Sequence, residues 1–214
     1  MNSNIKIHII HYKKLLERKI NLERYFKLNN YQREYFDKID RNNLNSNQIS
    51  KFKKDNINIA IFLSHIEAYK SIIKNNFKFS LILEDDSIPE DRFTKFVYKY
   101  LNDLPNDYDL FFVSSGKNNF QIPWYMRIPF RKVYKKLNIQ TSWGGHGASR
   151  NADAYFISKK CCEILVNEFN SGEIIDLPID WWLNKIIEKF DLDVYWAQPT
   201  IVTTNLYETS FNAD

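Results

Sequence analysis

The strongest constraint on this chain lies in residues 79–86. A short apolar run, Phe79-Ser80-Leu81-Ile82-Leu83, breaks directly into three acids, Glu84-Asp85-Asp86. Such a run reads as a buried strand of a parallel sheet, covered on both faces. Acids that follow it stand at the strand's C-terminal end, the edge where open α/β sheets place ligands. The rest of the chain extends the pattern. Residues 5–10, 109–114, 152–157, 194–196 and 200–203 read as further strands. Segment 57–74 is the clearest helix, with Phe62, Ile66, Tyr69 and Ile73 spaced by four, three and four. Helices are also expected over 13–29, 91–101, 159–169 with Ser158 as cap, and 179–190 behind Pro178. Residues 41–54 are polar and Asn-rich and read as loop. Strands alternating with helices argue an α/β fold: a central mixed sheet, mostly parallel, with helices on both faces.

The bulk properties narrow the possibilities. A length of 214 residues suits one domain, 1–214, with a sizeable core. A hydrophobic share of 44%, with 16% aromatics, excludes disorder of the whole chain. The net charge of +4 suits an anionic ligand such as a nucleotide diphosphate, or is ordinary surface charge. It is too small to argue for nucleic acid, and no nucleic-acid partner is expected. The two cysteines, Cys161 and Cys162, are neighbours and form no disulfide framework, which suits a reducing, cytoplasmic location. They read as core positions of a helix with Leu165 and Phe169. No apolar stretch reaches the roughly 18 residues of a membrane-spanning helix. Lys6 and His8 interrupt the first apolar run, so it does not read as a signal peptide.

The acidic triplet has two readings. It is a solvated turn after a strand, or it is a cation site. If strand geometry continues, Glu84 and Asp86 face one side together, with Asp85 turned away or towards a ribose. Carboxylates are the oxygen ligands that Mn²⁺ and Mg²⁺ prefer. A divalent ion is what a departing nucleotide diphosphate needs to take up its charge.

Several blocks, in order, resemble glycosyltransferase family 25. They are Asn58-Ile-Ala-Ile-Phe-Leu-Ser64-His65, then Phe79 to Asp86 ending in Glu-Asp-Asp, then Ala154-Tyr155-Phe156-Ile157-Ser158-Lys159-Lys160. Ile9-Ile10-His11-Tyr12 with Arg18, and Leu177-Pro178-Ile179-Asp180, agree as well. The resemblance implies a GT-A-type nucleotide-diphospho-sugar transferase fold. It implies an inverting transfer from a UDP-sugar, galactose being the family's commonest donor, with Mn²⁺ or Mg²⁺. The acceptor would be a glycan, a glycolipid or a protein hydroxylysine, with lipopolysaccharide biosynthesis as one setting. By analogy Asp86 is the first metal ligand, with Glu84 beside it. Glu84 and Asp85 would also assist through water or sugar hydroxyls. Asp180 would be the general base that takes the acceptor's proton. It stands equally well as an acid placed in a helix's first turn, where a carboxylate suits the dipole.

The remaining candidates have double readings too. Ser64 and His65 are expected to open a helix, holding nucleotide or orienting an acid; Ser64 as a plain cap and His65 in a polar pocket are the alternatives. His11 and Tyr12 end the first strand within reach of base or ribose, and Tyr12 is as readily a core residue. Arg18 meets phosphate, or pairs with a glutamate on its own helix face. Of Trp181 and Trp182, one is expected buried and one facing the acceptor. Residues 117–138 interleave basic and aromatic residues, including Trp124, Tyr125, Phe130, Arg127 and Arg131. They read as a surface flap packed on the core, a sugar-stacking segment, or a peripheral contact with an anionic membrane. Gly144, Gly145 and Gly147 would let this flap move. Two departures from the family stand out. The glycine before the Ser-His helix is replaced around residues 58–60. No histidine occurs in residues 198–214, where many GT-A enzymes have a late metal ligand; His146 is a substitute candidate. Two rival functions remain: a nucleotidyltransferase, which would want a Gly-rich phosphate loop not seen here, and a non-catalytic sugar-nucleotide-binding module of the same fold.

Overall fold

The computed structural model describes residues 5–114, 122, 124–136, 149 and 151–204. Its centre is a seven-stranded sheet in the order β2-β1-β3-β7-β5-β8-β6. The strands are β1 (Lys6–Ile10), β2 (Gln32–Phe36), β3 (Phe79–Glu84), β5 (Leu110–Phe112), β6 (Val133–Lys135), β7 (Ala154–Ser158) and β8 (Val194–Ala197). A separate two-stranded ribbon pairs β4 (Ser87–Pro89) with β9 (Val202–Thr204). β1 pairs in parallel with β2 and β3, and β5 with β8. β7 is antiparallel to both β3 and β5, and β6 is antiparallel to β8. Five strands therefore share one direction, and their C-terminal ends form one edge.

The unbroken apolar runs follow from burial on both faces. Ile82, Leu110, Phe112, Tyr155 and Ile157 point into one core layer, together with Phe62 and Tyr69 of α3 (Asn56–Lys74), Cys161 and Leu165 of α5 (Lys159–Asn170), and Trp182 of α6 (Ile179–Lys189). Leu81, Leu83, Phe111 and Phe156 point into the opposite layer. There they meet Phe26 of α1 (Leu16–Asn29) and Phe93 and Tyr100 of α4 (Phe93–Asn102). The alternation is the strand period of two. Both cysteines are fully buried, and burial pushes both thiols up from their ordinary value.

The structure departs from the sequence expectations in physical ways. β2 was not anticipated, because Gln32-Arg33-Glu34-Tyr35-Phe36 is mostly polar; it is an edge strand, none of it fully buried. β6 is short and also lies at an edge. The first helix starts at Leu16, not at residue 13. The expected loop 41–54 contains α2 (Ser46–Ile49), closed by a capping box of Asn45 and Gln48. In α3 the buried position near the end is Ile72, while Ile73 is only partly covered.

Candidate active site

The acids stand where the pattern placed them. β3 ends at Glu84, and its neighbour β1 ends one residue before His11, with Ile10 in register with Glu84. Residues from β1, β3, α1 and α3 thereby line one open cleft. Its lining combines acids, Glu84, Asp85 and Asp86, with aliphatic side chains, Ile39, Ile57, Ala60 and Ile61. His11, Tyr12, Arg18, Arg41 and Ser64 line it as well. The Arg41 guanidinium sits 4.6 Å from the centre of the Tyr12 ring. The Tyr12 hydroxyl is buried with no hydrogen-bond partner among the described residues.

The three acids have different environments. Asp85 is turned inward. Its Oδ2 accepts from His11 Nδ1 at 2.7 Å and from the Tyr12 backbone N–H at 3.1 Å. Its Oδ1 accepts from Arg18 Nη1 at 2.8 Å. His11 Nδ1 must carry its proton to face that carboxylate. Arg18 thus meets a carboxylate from another element, not the glutamate of its own helix face. Its Nη1 also lies 3.8 Å from Asp86 Oδ2. Asp86 remains partly open, with a side chain 26% exposed. Its Oδ1 has no partner among the described residues. Burial and then the charge of Asp85 raise its carboxyl to about 6, against the pull of Arg18.

Glu84 Oε1 lies 3.2 Å from His65 Nε2, within hydrogen-bond distance. Burial, then the charges of Asp86, Asp153, Asp85 and Asp180, push its carboxyl well above the usual range. Behind it runs a buried chain: His65 Nδ1 lies 2.9 Å from the Tyr155 hydroxyl, which lies 2.5 Å from the Tyr69 hydroxyl. The His65 and Tyr155 rings stack within 6° of parallel. Burial lowers His65 to about 3, so the imidazole is neutral and one nitrogen carries the proton. Toward a Glu84 carboxylate that nitrogen is Nε2, with the Tyr155 hydroxyl donating to Nδ1.

Ser64 and His65 do not open their helix. Asp55 does, accepting from the backbone N–H groups of Ile57 and Asn58 at 3.0 and 2.9 Å. Ser64 is in mid-helix and donates to the Ala60 carbonyl at 2.8 Å. The reason is the Asp55-Asn56 start, a stronger capping signal than a serine nine residues further on. Asp180 lies in the first turn of α6, where its carboxylate accepts from the Trp181 N–H at 2.9 Å, and burial raises it. Trp182 is buried and Trp181 is 43% exposed, which matches the expected division of burial. Gly144, Gly145, Gly147 and His146 lie outside the described residues.

One acid was missed. Asp153 precedes β7, and because β7 runs antiparallel its start lies on the same edge as Asp86. It is buried. Its Oδ2 accepts from Ser114 Oγ at 2.6 Å and Thr204 Oγ1 at 2.8 Å, while Oδ1 has no partner among the described residues. Its backbone carbonyl accepts from the Glu84 N–H at 2.8 Å. An acid at a strand's start was the available signal; only strand direction gives it meaning. Tyr155 stood inside a quoted block without a role, and Arg41 carried no signal.

The site fits a hard divalent cation in one respect. Two carboxylate oxygens, on Asp86 and Asp153, have no partner among the described residues, and the charge of Asp153 helps raise the Asp86 carboxyl. Among the described residues no three His, Cys, Asp or Glu side chains converge into a protein metal shell. Mg²⁺-type ions are commonly held by one or two carboxylates plus phosphates and water, so the residues present suffice for that mode.

Open α/β sheets place their ligands at the C-terminal edge of the strands, where these acids stand. The pattern of glycosyltransferase family 25 (LPS biosynthesis protein) matches residues 4–181. The chain belongs to that family, and its role is glycosyl transfer. No curated protein matches it. Its structure is similar to that of a glycosyltransferase involved in the glycosylation of the major capsid of PBCV-1, with a TM-score of 0.55. The two are 11% identical, and the match covers 97% of this chain and 95% of that one. The α/β architecture is accordingly that of a GT-A-like glycosyltransferase.

Proposed function

We propose that this chain acts as a single domain, an inverting, metal-dependent hexosyltransferase. It takes galactose from a UDP-sugar and passes it to a hydroxyl of a glycan, glycolipid or hydroxylysine acceptor. The mixed lining of the cleft carries the reading: aliphatic and acidic side chains in one pocket, with Tyr12 and Arg41. A nucleotide makes both demands, with a flat base and a diphosphate that needs a cation.

Each residue then has a task. Ile39, Ile57, Ala60 and Ile61 cover the base and exclude water from it. Tyr12 and Arg41 flank the base and ribose. Asp86, with Glu84, holds the cation, and Mn²⁺ or Mg²⁺ when bound neutralises the diphosphate as it leaves. Asp85 holds His11 and Arg18 in place beneath it. Asp180 takes the acceptor's proton; burial raises its carboxyl, which suits a base working near neutral pH.

The test is thermal shift and calorimetry with UDP, with and without Mn²⁺. The reading expects stabilisation by UDP that requires the metal and is lost in Asp86→Ala. Slow metal-dependent hydrolysis of one UDP-sugar should accompany it. Equal stabilisation by every nucleotide, with or without metal, refutes the reading. The second reading is a nucleotide-binding module of the same fold without turnover. Binding with no hydrolysis across a broad donor panel would select it.

A further inference from the structure

We propose that the exposed turn at residues 124–132 is a docking surface for an anionic lipid bilayer. No acidic residue occurs between Asp109 and Asp153, while that stretch holds seven of the 30 Lys and Arg. The remainder of the chain has 23 basic against 26 acidic residues, a net of −3, so the positive excess is local in the sequence. Of these seven, Lys135 is paired with Asp193 at 2.7 Å, and Arg127, Arg131 and Lys132 lie in the turn itself. A local basic field attracts an anionic surface where a diffuse one does not.

The apolar residues of this stretch divide in two. Ile122, Val133 and Tyr134 are buried and anchor it. Tyr125, Ile128 and Phe130 are 71%, 51% and 90% exposed. Phe130 also has φ of 68°, a left-handed backbone that a bulky side chain rarely adopts. The turn is held from beneath. The Ile128 N–H donates to the Tyr134 hydroxyl at 2.9 Å, the Arg131 N–H to the Ile128 carbonyl at 3.1 Å, and Arg127 Nε to the Ile122 carbonyl at 2.9 Å. A braced turn that presents a phenyl ring to solvent, with Arg127, Arg131 and Lys132 beside it, has the composition of a membrane-surface contact.

Topology supplies a second, independent support. Val133 pairs with Ala197, the last residue of β8, and the Gln198 N–H donates to the Lys132 carbonyl at 2.8 Å. β8 runs parallel to β5. The turn therefore lies beyond the C-terminal edge of the sheet, the edge that carries Glu84, Asp86 and Asp153. Docking there would face the transfer site toward lipid-borne acceptors. A second copy of the chain is a poor occupant, because a symmetric contact would oppose Arg127, Arg131 and Lys132 with themselves. The proposal does not depend on the donor chemistry above.

The test is co-sedimentation with vesicles of phosphatidylcholine, alone or with one-third phosphatidylglycerol. Binding to the anionic vesicles is expected, falling steeply with added salt. Phe130→Ser should weaken it by roughly tenfold. Arg131→Glu should weaken it by about fivefold or more. Phe130→Ser should keep the wild-type melting temperature, since its side chain is exposed, and both variants should keep the same UDP binding with Mn²⁺. That last measurement keeps a failure of the docking proposal separate from a failure of the donor-site reading. Equal partition to neutral and anionic vesicles, or no partition, overturns the proposal. So does an unchanged partition of Phe130→Ser, or self-association through this turn in lipid-free buffer.

Discussion

Asp85→Ala should be the most costly substitution in the acidic triplet, although Asp85 is the acid least available to a ligand. Its carboxylate receives three donors from two other elements: His11 Nδ1, the Tyr12 N–H and Arg18 Nη1. The Arg18 and Asp85 side chains are 5% and 9% exposed, so the pair is screened little by solvent. Breaking a buried pair from one side costs about 3–5 kcal/mol. The two other orphaned donors add to this, while Asp86, 3.8 Å from Arg18 Nη1, and water entering from the cleft offset it, so about 3–5 kcal/mol stands as the expected loss. For a chain of this length that is a fall in melting temperature of roughly 6–20 °C. Urea denaturation at neutral pH reads it directly. Replacing both partners, Asp85→Leu with Arg18→Met, should recover much of the loss, because an apolar pair needs no compensation. A loss under about 1 kcal/mol for Asp85→Ala, or a double variant no better than the single, would refute the view that Asp85 is a building acid.

Asp86 should behave in the opposite sense. Its carboxyl lies at about 6, above an ordinary 3.8, so the folded state holds the proton more tightly than the unfolded state. Stability from this group is present at low pH and is lost as pH rises from about 4 through about 6, amounting to as much as roughly 3 kcal/mol. Without metal, Asp86→Asn should therefore raise the melting temperature at pH 7.5 and change it little at pH 4; a scan that shows destabilisation at pH 7.5 contradicts this. Tyr155→Phe removes the hydroxyl between Tyr69 and His65 and should cost about 1–3 kcal/mol by chemical denaturation. It should also shift the His65 tautomer, seen by nitrogen NMR, away from protonated Nε2; an unchanged tautomer would show that the chain does not orient the imidazole. Phe62→Ala empties a site lined edge-on by Phe52 and Trp182 and should cost about 3–5 kcal/mol, with a smaller effect implying that α3 and α6 repack.

Much of the fold was legible because burial on both faces writes itself into sequence. β3, β5 and β7 were visible as apolar runs, and α3 as a repeat of large residues. What escaped was held by contacts from elsewhere. β2 is polar because it is an edge strand, and it exists through its register with β1. Arg18 looked like a partner for its own helix because local spacing was all that could be read. Its carboxylate comes from 67 residues away.

The sequence by itself determined that three acids would follow a buried strand, and so that a charged edge would exist. It also determined the local basic stretch, since composition needs no fold to be read. The tertiary structure alone decided what each acid does. Register placed His11 and Arg18 against Asp85 and spent that carboxylate on the scaffold. The reversal of β7 brought Asp153 to the same edge, and α3 delivered His65 to Glu84. The physical reason is that a carboxylate's role is set by the donors and charges within a few ångströms, and those come from residues far away along the chain.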